Sequence, residues 1–189
     1  MTARVPVMRA LAFVLPFVLA ACATPEGGQS PSDRAAVHQV EGYFQTVDLE
    51  SVPFVQAWPD GARGAGTLSY HPGALSMHFT QPHVMDLTAQ GRHAVFTDSQ
   101  TGAETHLGLA HNPLGLLLDN PMRLSGPVTV TDVQHGADGL LQLSLTRTDN
   151  PSQGLVTLRF RTVAGHLSLY EARIVDERRR VTLIDLEAP

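Results

Sequence analysis

Nine histidines, a scatter of aspartates and a single cysteine are the side chains of this chain best suited to metal binding, proton transfer or nucleophilic attack. Their spacing does not gather them. His38, His71, His78, His83, His93, His106, His111, His135 and His166 contain no H-x-H pair and no pair four apart on a helix, the spacings that place two imidazoles on one metal. Scattered in this way they read as surface or half-buried strand residues, and no metal is expected. Asp60, Asp98, Asp138, Asp149 and Asp176 fall among turn residues, where a carboxylate bonds local backbone. Gly61, Gly64 and Gly66 resemble a phosphate loop only faintly. They lie between two strand-like runs with no helix following, so a hairpin turn is expected there. No nucleophile elbow, H-E-x-x-H pair or P-loop is present. No catalytic residue is expected, and no enzyme.

Cys22 is different, because its surroundings assign it a chemistry. Arg4 and Arg9 precede an apolar run from Ala10 to Ala20, and small residues lead into Leu19-Ala20-Ala21-Cys22. That layout is an export signal, and its end resembles the lipobox at which a bacterial peptidase cuts before lipid is attached to cysteine. On this reading residues 1–21 are removed and Cys22 becomes a lipidated N-terminus that anchors the chain to a membrane. The ordinary small-x-small rule also fits Ala21-Cys22-Ala23, which would leave a free protein starting at Thr24. About 11 apolar residues are too few to span a hydrocarbon core that needs about 20. Residues 22–33 are rich in Pro, Gly and Ser and read as a flexible tether. From Ala23 onward the tether reaches at most about 38 Å and averages nearer 18 Å.

Without Arg4 and Arg9, the 13 basic residues fall to 11 against 18 acidic ones. An acidic chain of this kind is not expected to bind nucleic acid. Every basic residue is arginine. One cysteine allows no internal disulfide. Residues 34–189 are enough for one domain with a real core.

The elements follow from the periods. Val37, Val40, Phe44 and Val47 recur at helical spacing, capped by Ser32 or Asp33 and ending near residue 50. After that, short apolar or alternating runs are broken by turn residues about every ten positions. Eleven strands are expected: 52–58, 67–70, 75–79, 84–89, 94–97, 104–109, 128–133, 140–146, 155–161, 167–175 and 181–186. Links this short join antiparallel neighbours. The fold class is therefore mainly β, a single curved antiparallel sheet forming an unclosed barrel. Asn112 to Leu118 is too apolar for an exposed loop and reads as a short helix or turn against the concave side. Arg178-Arg179-Arg180 reads as a solvated hairpin tip. Phe54, Leu75, Met77, Phe79, Leu114, Leu116 and Leu117 would line the enclosed space, whether that space is a packed core or a cavity.

The order of these pieces carries a resemblance. Gln56, Gly66-Thr67, His71-Pro72-Gly73, Thr80-Gln81-Pro82, Gly91 and Asp98 come first. Asn112-Pro113 with Leu116-Leu117-Leu118, Leu158-Arg159-Phe160, Leu167, and Asp176 before Val181-Thr182-Leu183 follow. From about Val40 to Leu186 the chain resembles the periplasmic lipoprotein carrier family, LolA. The resemblance implies an unclosed barrel with a helical lid, so that residues 34–189 are a lipid-binding domain whose cavity takes lipoprotein acyl chains. It implies a monomeric shuttle in the periplasm, an inner-membrane ABC exporter as partner, and no cofactor. His71 stands where the family has an arginine that helps hold the lid, so His71 is the expected lid contact. Met77 stands where a large aromatic is usual. A lipidated Cys22 would suit the related outer-membrane acceptor, LolB, and Ala23 after it favours the outer membrane. A structural envelope lipoprotein with a filled core is the other reading.

Overall fold

The computed structural model describes residues 29–187, His111 excepted. The signal segment, Cys22 and most of the tether lie outside the described residues. Helix α1 runs Pro31–Thr46. Its cap is Ser30, not Ser32 or Asp33. The Ser30 hydroxyl accepts from the Asp33 N–H at 3.1 Å, and the Asp33 carboxylate accepts from the Ser30 N–H at 3.1 Å. This reciprocal box satisfies two otherwise orphaned donors. Pro31 at the first helical position has no donor to lose. The helix thus absorbs residues 31–33, which were expected in the tether. It stops at Thr46 because Val47 turns extended, at ψ 138°, short of the expected residue 50. Ala36, Val37, Val40 and Phe44 form its buried stripe.

Eleven strands follow: β1 (Leu49–Ala57), β2 (Arg63–His71), β3 (Ala74–Gln81), β4 (Met85–Gln90), β5 (His93–Asp98), β6 (Ala103–Gly108), β7 (Val128–His135), β8 (Leu141–Arg147), β9 (Gly154–Val163), β10 (His166–Asp176) and β11 (Val181–Leu186). They make one antiparallel sheet in the order β6-β5-β4-β3-β2-β1-β11-β10-β9-β8-β7. Every neighbour is consecutive in sequence except β1 and β11, which pair through Phe54 opposite Leu186 and Gln56 opposite Ile184. First and last strands therefore sit side by side in the middle. The consecutive strands β6 and β7 become the two outer edges, and no ladder joins them among the described residues.

The sheet must be strongly curled. Strands β2 and β9 stand four spacings apart, about 19 Å in a flat sheet. Yet the Phe44 ring touches both Tyr70 of β2 and Phe160 of β9, with centroids 5.6 and 6.2 Å away. Helix α1 lies in that concavity. Residues 109–127, which link one edge to the other, cross the same face. They carry the 3₁₀ turn Pro113–Leu117, started by the Asn112 side chain accepting from the Leu114 N–H at 2.9 Å. Leu116, Leu117, Leu118, Met122 and Leu124 are buried beneath it or beside it, as an apolar link on a concave face requires.

The glycine run expected as a hairpin turn divides. The turn is made by residues 58–62, while Gly64 and Gly66 lie within β2. A Cβ on Gly66 would collide with the His78 carbonyl of β3, and one on Gly64 with the Trp58 ring. The tip after β10 is as expected: the Asp176 carboxylate accepts from the Arg178 and Arg180 N–H groups and pairs with the Arg180 guanidinium at 2.7 Å.

Candidate functional site

Two polar residues of α1 fasten the crossing link over the concave face. The Gln45 amide donates to the Met122 carbonyl at 2.9 Å. The Glu41 carboxylate accepts from the Leu124 N–H at 2.6 Å. From below, the Tyr70 hydroxyl donates to the Leu117 carbonyl at 3.0 Å. Near the link's start Arg147 donates to the Ala110 carbonyl at 2.8 Å, and from its middle the Asn120 amide donates to the Pro72 carbonyl at 3.2 Å. The cover is thus tied down by bonds to backbone, so its hold does not depend on which apolar side chains fill the space below.

Beneath it is an apolar cavity of about 50 Å³. Phe44, Leu68, Leu118, Ile174 and Ile184 are among its walls, and Tyr70 presents its ring there. Burial pushes the Tyr70 phenol up to about 12 and raises that of Tyr43 as well, since a phenolate in so dry a place would lack water. The Tyr70 hydroxyl at this wall is already spent on the Leu117 carbonyl.

Of the residues expected to line the space, Leu75, Leu114 and Leu117 do so. Leu116 is buried in the same core without facing the cavity. Phe54, Met77 and Phe79 are buried farther along β1 and β3. There Phe79 meets Phe54 edge-on at 5.0 Å and stacks on Trp58 at 5.6 Å. Sequence reading missed the walls from the last two strands: Leu169, Ala172, Ile174, Ile184 and Leu186. The alternation was visible, but a bulge between Leu169 and Glu171 shifts its phase within β10. It also missed Glu41 and Gln45, whose partners lie about eighty residues away.

His71, the expected lid contact, ends β2. Its Nδ1 lies 2.8 Å from the Asp48 carboxylate and its Nε2 3.2 Å from that of Glu50. Asp48 sits just past the end of α1. The intervening Val47 and Leu49 point inward and line the cavity, so the imidazole grips the turn by which the helix leaves the concavity. Asp48, Glu50 and His71 could each offer a metal one ligand atom, all within 4.8 Å of one another. All three are exposed, and each ring nitrogen already faces a carboxylate. Five other histidines also pair with acids, among them His78 with Asp86 at 2.7 Å and His83 with Asp98 at 3.1 Å.

No family model matches the chain, and no curated protein matches it. Among solved structures the chain is similar to a LolA superfamily protein from Nitrosomonas europaea. The two are 12% identical, the match covers 82% of this chain and 90% of that one, and the TM-score is 0.44.

Proposed function

We propose that this chain is a lipoprotein-binding chaperone of the bacterial envelope, holding acyl chains of lipoproteins under α1 and the crossing link. The observation that carries the reading is the wholly apolar cavity between a curled sheet and a cover held by bonds to backbone. Each acyl CH₂ withdrawn from water gains about 0.8 kcal/mol, and leucine, isoleucine and aromatic walls offer such a chain no fixed polar anchor. The helix and link act as the lid. The work is binding and release, without covalent chemistry or cofactor. The proposal extends to a lipid anchor on Cys22 facing the periplasm from the outer membrane, a monomeric chain, and an inner-membrane ABC exporter as the source of cargo. The LolA-like order of sequence motifs supports it.

One observation favours the second reading, an envelope lipoprotein with a filled core. A volume of 50 Å³ is well below the roughly 300–1,000 Å³ of ligand pockets. An acyl chain enters only if α1 and the link move outward. A fluorescent hydrophobic dye or fatty acid decides between them. A carrier binds it, and Leu117→Glu abolishes binding while the far-ultraviolet circular dichroism persists. A filled core gives no binding in the parent protein.

A further inference from the structure

Beside the cavity lies a more open, mostly apolar groove of about 230 Å³, between the C-terminal turn of α1 and the β9–β10 hairpin. Tyr43, Val47, Leu49, Leu169 and Leu186 line both spaces, so these side chains stand between the groove and the cavity. Outward, past Tyr43, His166 and Leu167, the groove continues into a more polar hollow walled by Gln39, Thr46 and Thr162. The succession from dry cavity through apolar groove to hydrogen-bonding rim has the polarity of a single alkyl chain with its head group. Among the described residues no arginine lines either hollow, and the chain has no lysine; the His166 imidazole lines both. Among the described residues, the carboxylate on the groove is that of Glu187.

We propose that this groove is the portal through which an alkyl chain reaches the cavity, and that its rim selects an uncharged, ester-linked head over a phosphate-bearing one. The proposal rests on the acyl-binding reading above and adds the class of head group. The apolar walls take the chain. The Gln39 amide and the Ser168 hydroxyl can serve ester carbonyls, while the Thr46 and Thr162 hydroxyls, which donate to the Gly42 and Gly139 carbonyls, can still accept from glycerol hydroxyls. A phosphate brought to the same rim would lose water with no arginine or lysine in exchange, only the His166 imidazole, and beside the Glu187 carboxylate.

The test uses the full chain with a bound hydrophobic dye at pH 8. The competitors are 1-decanoylglycerol and decanoyl lysophosphatidate, each below its micellar concentration. The glyceride is expected to displace the dye at roughly one-tenth the concentration of the phosphate lipid, or less. Val163 is 50% exposed, lines the groove and does not line the cavity. Val163→Arg supplies the missing cation and is expected to narrow the preference to roughly threefold with an unchanged melting temperature. Equal displacement by the two lipids in the parent chain overturns the head-group selection while acyl binding stands. So does a tenfold preference that Val163→Arg leaves untouched. Displacement by neither lipid overturns the acyl-binding reading, and the portal with it.

Discussion

The phenol of Tyr70, on β2, donates to the main-chain carbonyl of Leu117, on the link that crosses the concave face, at 3.0 Å and out of reach of water. This bond joins the floor of the cavity to its cover. Tyr70→Phe leaves the carbonyl buried and unpaired, which costs about 1–3 kcal/mol, and the same change loosens the cover. Lower stability in urea together with faster uptake of a hydrophobic dye is the expected outcome. The pH dependence has a definite sign. The folded-state value of Tyr70, about 12, lies above the ordinary tyrosine value near 10. The neutral phenol's contribution is therefore complete below about pH 10 and disappears as pH rises through the folded value. Unfolding at pH 8 and pH 11 checks this: the fall between them should be smaller in Tyr70→Phe than in the parent chain.

The start of α1 is acid-sensitive for a different reason. The Ser30 hydroxyl, and after it His135 at 3.0 Å, hold the Asp33 carboxyl below the usual carboxylate range. A lowered folded-state value adds stability above the ordinary carboxylate value near 4 and loses it as pH falls through the lowered one. Ser30→Ala removes both the cap, worth about 1 kcal/mol, and the main cause of the lowering. The helix signal should then begin to fall at higher pH on acid titration, with the largest loss at the N-terminal turns by hydrogen exchange.

Most of the sheet was legible because it is built from local hairpins. Turn residues such as Pro59-Asp60-Gly61 and His71-Pro72-Gly73 punctuate it, and the alternation of Leu75, Met77 and Phe79 matches their burial on β3. What local pattern cannot carry is closure. Nothing in the text of β1 and β11 announces that Phe54 will lie opposite Leu186; that pairing follows from where the whole meander ends. The cavity walls from β10 and β11 were hidden for the same reason, and the bulge at Tyr170 hid them further. Ser32 and Asp33 carry cap signals because caps and first-turn residues share types; Pro31 is the stronger marker of the start.

Gly66 is held to its identity by packing between strands. It pairs with Phe54 on one side and with Phe79 on the other, next to a register shift between Ala65 and Gly66. The atom an added methyl would strike is the His78 carbonyl oxygen, part of the backbone, so no side chain can rotate away. Gly66→Ala is expected to cost more than the roughly 1–3 kcal/mol typical of overpacking, because β2 and β3 must separate. Gly42, by contrast, has open space around its Cβ position within α1. Gly42→Ala should stabilise by up to about 1 kcal/mol. Urea midpoints of the two variants should move in opposite directions.

The grip of His71 on the end of α1 gives the last prediction. A neutral imidazole carries one N–H, so it can donate to Asp48 or to Glu50 but not to both. A guanidinium can donate to both at once, through a planar fork that stays charged. Both carboxylates are exposed, at 66% and 69% for Asp48 and Glu50, so their pairs add little to global stability. Their effect is local, on the turn that carries Val47 and Leu49 into the cavity wall. His71→Ala is therefore expected to shift the melting temperature only slightly yet to speed dye entry several-fold. His71→Arg should slow entry below that of the parent chain at neutral pH. Stopped-flow fluorescence of the three proteins at equal dye concentration gives the order of rates. An unchanged rate in both variants would show that the end of α1 is held without His71, by Phe44 against Tyr70 and Phe160 and by Gln45 on the Met122 carbonyl.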